Sequence, residues 1–156
     1  ARCRSMEFRN AEGATIALTI TGYQYPRELD ALYASNWLLV RLDLSAPAGT
    51  FSATNACLLT YEGRQLADWL ASAAAGAAPG AIGFVEPCLF FEAIAAPAGI
   101  TIRVTLEHAF RPPWAVRHAA WRFGYVALFP LAPAELERAA ATLRRQLAPY
   151  PQRAER

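Results

Sequence analysis

Strict alternation of apolar and polar residues recurs along this chain and narrows its fold more than any other feature. Ile100, Ile102, Val104 and Leu106 alternate with Thr101, Arg103 and Thr105. Leu38, Val40, Leu42 and Leu44 alternate with Arg41 and Asp43, and Ile16, Leu18 and Ile20 with Thr15, Thr19 and Thr21. A strand points successive side chains to opposite faces, so this period of two marks half-buried strands of an antiparallel sheet. Trp121, Phe123, Tyr125, Ala127 and Phe129 carry the pattern into a last strand. Turn residues separate these runs. Asn10 to Gly13 joins a short strand at residues 6–9 to the next. Ala46-Pro47-Ala48-Gly49 suits a hairpin between residues 38–44 and 51–59, and the same tetrapeptide recurs at Ala96-Pro97-Ala98-Gly99. Residues 82–85 and 89–95 read as extended segments around Pro87, which cannot donate to a ladder and marks an edge or break. Residues 23–35 and 111–120 read as loops, the first with a helical turn near Glu28 to Tyr33.

Two stretches switch to the helical period. Leu66, Trp69, Leu70 and Ala73 share one face of a helix over about residues 61–75, with Thr60 as N-cap and Glu62 favourable to the dipole. Gly63 weakens its first turn, and Gly76 with Pro79-Gly80 ends it. Leu136, Ala140, Leu143 and Leu147 form the stripe of a C-terminal helix over about residues 133–147. Pro133 suits its first turn, Arg144 and Arg145 its last, and Pro149 stops it. The expected fold class is α+β: an antiparallel β-sheet or sandwich of about 7–8 strands carrying one internal and one C-terminal helix. Residues 6–153 are expected to form a single domain, with residues 1–5 an upstream extension or tag remnant and Met6 the natural start.

Charge excludes some functions and leaves others open. The net charge of +2 is too small for a nucleic-acid binder. All 15 basic residues are Arg, which together with the Ala and Pro richness reads as codon bias rather than as phosphate binding. Residues 28–92 hold two Arg and seven acids, a net −5, flanked by basic segments. An acidic middle of this kind suits a basic partner. No apolar run reaches the roughly 20 residues of a membrane helix. Cys3, Cys57 and Cys88 form no metal-spaced pair, which with the lack of a signal peptide points to a reducing, cytoplasmic compartment.

No assembled catalytic, cofactor or metal site is visible in the sequence. Glu86 and Glu92 flank an apolar segment and are the one carboxylate pair that a small hydrolase could use. His108 and His118 are the only histidines and lack a ligand pattern, while a Cys–His pair would need Cys57 or Cys88. Both cysteines lie in apolar stretches and read as buried, inert thiols. Arg111 and Trp114, beside Pro112-Pro113, are either interface anchors or a loop folding back on the core.

Four motifs taken in order carry a resemblance. They are Asn36-Trp37-Leu38; Cys57-Leu58-Leu59-Thr60 running into Leu66 and Trp69-Leu70; Phe84-Val85-Glu86-Pro87-Cys88-Leu89 with Phe91-Glu92; and Tyr150-Pro151-Gln152-Arg153. Together they resemble the WapI-type immunity family of bacterial polymorphic toxin and contact-dependent competition systems. Gly63 departs from the helix-favouring residue expected there. The resemblance implies a non-enzymatic protein, without cofactor or metal, that binds and neutralises a cognate toxin domain such as a nuclease in the cytosol. It implies neither direct nucleic-acid nor membrane contact, with the chain a monomer or homodimer. Small hydrolase and adaptor or structural module are the alternatives. The expected partner-binding residues are Glu28, Asp30, Glu62, Asp68, Glu86, Glu92, Arg111 and Trp114.

Overall fold

A computed structural model describes residues 4–97, 99–115 and 124–155. Among these residues two four-stranded antiparallel sheets carry two helices. The first sheet has the order β1 (Met6–Arg9), β2 (Thr15–Tyr23), β3 (Trp37–Ala46), β4 (Gly49–Leu59). Helix α1 (Thr60–Ala74) follows, and then the second sheet: β5 (Ala81–Gly83), β6 (Leu89–Ala96), β7 (Gly99–Leu106), β8 (Tyr125–Leu131). Helix α2 (Pro133–Leu147) closes the chain. Both sheets are meanders, so every strand pairs with its sequence neighbour. The expected α+β class holds.

The alternating residues behave as their period requires. Leu38, Val40, Leu42 and Leu44 of β3 are buried, and so are Ile100, Ile102, Val104 and Leu106 of β7. Inward residues of both sheets and both helices join one core cluster, in which Phe8 of β1 meets Phe91 of β6 and Phe129 of β8. Both Ala-Pro-Ala-Gly tetrapeptides sit at hairpin ends, with Ala46 opposite Gly49 and Ala96 opposite Gly99. Trp121, Phe123, His118 and Cys3 lie outside the described residues.

Two local expectations are corrected. Thr60 is the first helical residue rather than the N-cap, because its hydroxyl donates to Asn36 Oδ1 at 2.8 Å. Glu62 closes the N-terminus instead, accepting the Leu59 N–H at 3.0 Å. Gly63, read as a weak point, is where α2 comes closest: a Cβ there would lie 2.7 Å from Leu147 Cδ2.

Candidate functional site

The two sheets present opposite chemistry to the outside. Across the first sheet one outward row runs Glu7, Ala17, Asp43, Ser52, and the next Arg9, Thr15, Ser45, Thr50. That face is hydrophilic and ordinary. Across the second, one row runs Gly83, Phe90, Thr105, Val126 and the next Ala81, Glu92, Arg103, Leu128, with Ile94, Thr101 and Pro130 beyond. Phe90, Ile94 and Leu128 are 38%, 45% and 49% exposed, and Val85 beside them 62%. No described element packs over this face. Strands β6 and β8 carry runs that are apolar at both parities, Leu89-Phe90-Phe91 and Val126-Ala127-Leu128-Phe129, while β7 between them keeps Thr101, Arg103 and Thr105 outward. In a strand with one wet face such runs are out of place; they belong to strands covered on both sides.

A cleft of about 470 Å³ opens at the β5 side of the face, lined by Phe84, Pro87, Phe90, Glu92, Arg103 and Glu107 among others. Gly83 shapes it, since a Cβ there would stand 3.2 Å from the Phe90 ring, so glycine lets that ring lie across β5. Buried Thr105 lies between Arg103 and Glu107 on the same outward side and forms the floor. Arg103 Nε meets Glu92 Oε2 at 3.5 Å, with both side chains about one-third exposed. Glu107 Oε1 is enclosed and has no hydrogen-bond donor among the described residues.

The acids expected to make a joint surface do not come together. Glu62 is 5% exposed, and its two carboxylate oxygens accept the N–H groups of Leu59 and Val85. Glu28 caps its own loop by accepting from the Asp30 and Ala31 N–H groups. Asp68 pairs with Arg144 of α2 at 2.9 Å. Asp30 is exposed on the 24–36 loop, and Glu86 is half-buried near Cys88. Of the set, only Glu92 lies in the cleft. Trp114 folds back, its ring 6.4 Å from that of Tyr125 and against Gly49, while Arg111 is half-buried just after the 3₁₀ turn at His108–Phe110. The sequence offered a signal for the face in the two-sided apolar runs of β6 and β8.

The thiols behave as a pair. Cys57 and Cys88 are both buried, and the hydrogen bond from Cys57 to Cys88, with burial, pushes the Cys57 thiol well up. The same bond holds the Cys88 thiol below its ordinary value against the opposing effect of burial. Asn55 Nδ2 also donates to Cys88 Sγ at 3.3 Å. No cysteine–imidazole hydrogen bond and no group of metal-ligating side chains occurs among the described residues.

Three of the four motifs meet around Asn36. Its Oδ1 accepts from Thr60 Oγ1 and from the Arg153 N–H, each at 2.8 Å. Its Nδ2 donates to the carbonyls of Leu32 and Arg153. The Arg153 guanidinium stacks 3.5 Å over the Tyr23 ring and donates to the carbonyls of Pro26 and Glu28. These contacts pin the 24–36 loop, which exposes Tyr25, Leu29 and Tyr33.

A family model described as the Immunity protein WapI-like family matches residues 7–151. No curated protein and no solved structure matches the chain.

Proposed function

We propose that this chain, which belongs to the Immunity protein WapI-like family, binds a cognate protein toxin domain and blocks it through the outer face of its second sheet. Membership implies an immunity role, and the family is generally non-enzymatic. The observation that carries the surface assignment is the pair of β6 and β8 runs, apolar on both faces, with Phe90, Ile94 and Leu128 directed outward. Three strands of seven or eight residues and one of three, at about 4.8 Å spacing, cover roughly 400 Å² in plan. That is enough for the apolar centre of a specific interface, which takes about 800 Å² from each partner once its rim is included. Neutralisation would be steric, and it would take place in the producing cell, where the toxin must be held inactive.

Co-expression with the toxin domain encoded beside its gene tests the reading. The native chain rescues growth and co-purifies with the toxin. Phe90→Asp, which places a carboxylate at the centre of the face, abolishes both. Because Phe90 is partly exposed, melting should shift by no more than about 1 kcal/mol equivalent. Full rescue by Phe90→Asp together with Leu128→Asp would move the interface elsewhere.

A further inference from the structure

The cleft beside Phe90 has a composition that an apolar partner alone does not match. Its walls are aromatic and aliphatic, yet Glu92, Arg103 and Glu107 line it too, two carboxylates against one guanidinium among the described residues. The Glu92–Arg103 pair is long at 3.5 Å, and Glu107 lines the cleft with its enclosed Oε1 set against Gly124. A purely apolar side chain entering here would strip water from these charges without replacing it. An anion would add to the negative excess of the described lining residues.

We propose that the cleft seats a cationic side chain, an arginine or a lysine, presented by the partner protein; this rests on the toxin-binding reading above. The aliphatic stem would lie against Pro87 and Phe84, and the charged head would meet the Phe90 ring and the Glu92 and Glu107 carboxylates. Each contact favours a cation. The face of an aromatic ring attracts it, and a carboxylate bond to guanidinium or ammonium is stronger than a neutral hydrogen bond. Arginine is also over-represented among the few residues that dominate interface energies. The cleft thereby supplies the specific anchor that the surrounding apolar face lacks. An apolar sheet face tolerates many partners, whereas a carboxylate-lined socket rejects any that bring a neutral or acidic residue to that point.

The probe is N-acetyl-arginine amide, titrated into the full chain and followed by NMR, with N-acetyl-citrulline amide as its uncharged near-isostere. The arginine compound should shift resonances of Phe90, Thr105 and Glu107, and the citrulline compound should bind at least about tenfold more weakly. Glu107→Gln should reduce arginine binding about tenfold, and Phe90→Leu should reduce it while keeping the apolar wall. Equal binding of the two probes, or shifts confined to other surfaces, would overturn the proposal. If Glu107→Gln fails to fold, Glu92→Gln and Phe90→Leu carry the same test. A second arm adds the toxin domain, which should displace the arginine probe. A toxin that binds without displacing it sinks the socket and leaves the immunity reading intact. If the cleft takes the arginine probe but no toxin is neutralised, the immunity reading fails and the partner assignment falls with it.

Discussion

Replacing Asn36 with alanine should destabilise the protein more than any other single polar substitution in it. The side chain has no exposed surface and makes four hydrogen bonds, to Thr60 Oγ1, the Arg153 N–H, and the Leu32 and Arg153 carbonyls. A net hydrogen bond stabilises by about 1 kcal/mol, and stranding a buried partner costs about 1–3 kcal/mol. Four bonds therefore set a loss of about 4 kcal/mol, a large share of the roughly 5–15 kcal/mol typical of a domain. Urea unfolding followed by circular dichroism measures it, with an unchanged slope required for the comparison. Hydrogen exchange adds a local readout, because the Arg153 amide should lose protection before the β-sheets do. Asn36→Asp sharpens the test. It keeps both acceptors but sets a carboxylate against two carbonyls, so its protonated form is favoured in the folded state. A folded pKa raised above the unfolded value of about 3.9 means stability is greatest below that value and falls as pH rises through the folded pKa. The aspartate variant should thus lie closest to the native protein at acid pH and furthest at neutral pH. A loss under about 1 kcal/mol for Asn36→Ala, or an Arg153 amide that stays protected, would refute the account of this residue as the tie between loop, helix and C-terminal segment.

Two further substitutions probe the packing that shapes the fold. Gly63→Ala gains up to about 1 kcal/mol of helix propensity but forces a Cβ to 2.7 Å from Leu147 Cδ2, an overpacking cost of about 1–3 kcal/mol, so chemical denaturation should show a net loss of about 1 kcal/mol. In a Leu147→Ala background the same change should become neutral or stabilising, and a stabilising effect beside native Leu147 would remove the steric explanation. Gln146→Leu should cost about 2 kcal/mol and raise exchange at the Ile20 amide, because the Gln146 amide accepts from Ile20 N at 2.6 Å and donates to Leu18 O at 3.2 Å.

Gln146 also illustrates what the sequence could convey and what it could not. Alternation in β2, β3 and β7 announced the strands, and the stripes on α1 and α2 announced helices within a residue of their observed ends. Such periods are local and legible. Strand β1 pairs only as far as Leu18, leaving the next part of β2 with an open edge. A side-chain amide from α2 closes it, and nothing near position 146 in the sequence points to a partner 126 residues away. Glu62 misled for a related reason. Its charge placed it on an imagined acidic surface, whereas its position three residues after the cap turned its carboxylate inward to backbone N–H groups. The scattered acids of residues 28–92 were engaged one by one, Asp43 by Arg41 and Ser52, Asp68 by Arg144, Glu92 by Arg103. A segment's net charge therefore said little about any surface.

The kinship residues gathered at Asn36 and most residues offered for recognition separate in space, although Phe84, Pro87 and Glu92 of the third motif line the cleft. Asn36, Thr60 and Arg153 are bound to one another, and Glu62 joins α1 to Val85 ahead of β6. Changing any of them disturbs the fold, whatever the partner. Phe90, Ile94, Arg103 and Leu128 stand outside those motifs and point away from the core, on strands whose inward residues already fix the register. Because the two parities of a strand are independent, outward residues of β6, β7 and β8 can change without disturbing Phe91, Val104 or Phe129 beneath them. A scaffold of this kind keeps one fold while its exposed face is rewritten for different partners. On that reasoning, exchanging the outward residues of β6 to β8 between two members of the family should transfer toxin choice while leaving unfolding midpoints nearly unchanged. Exchanging the Asn36, Thr60 and Arg153 segments should do the reverse.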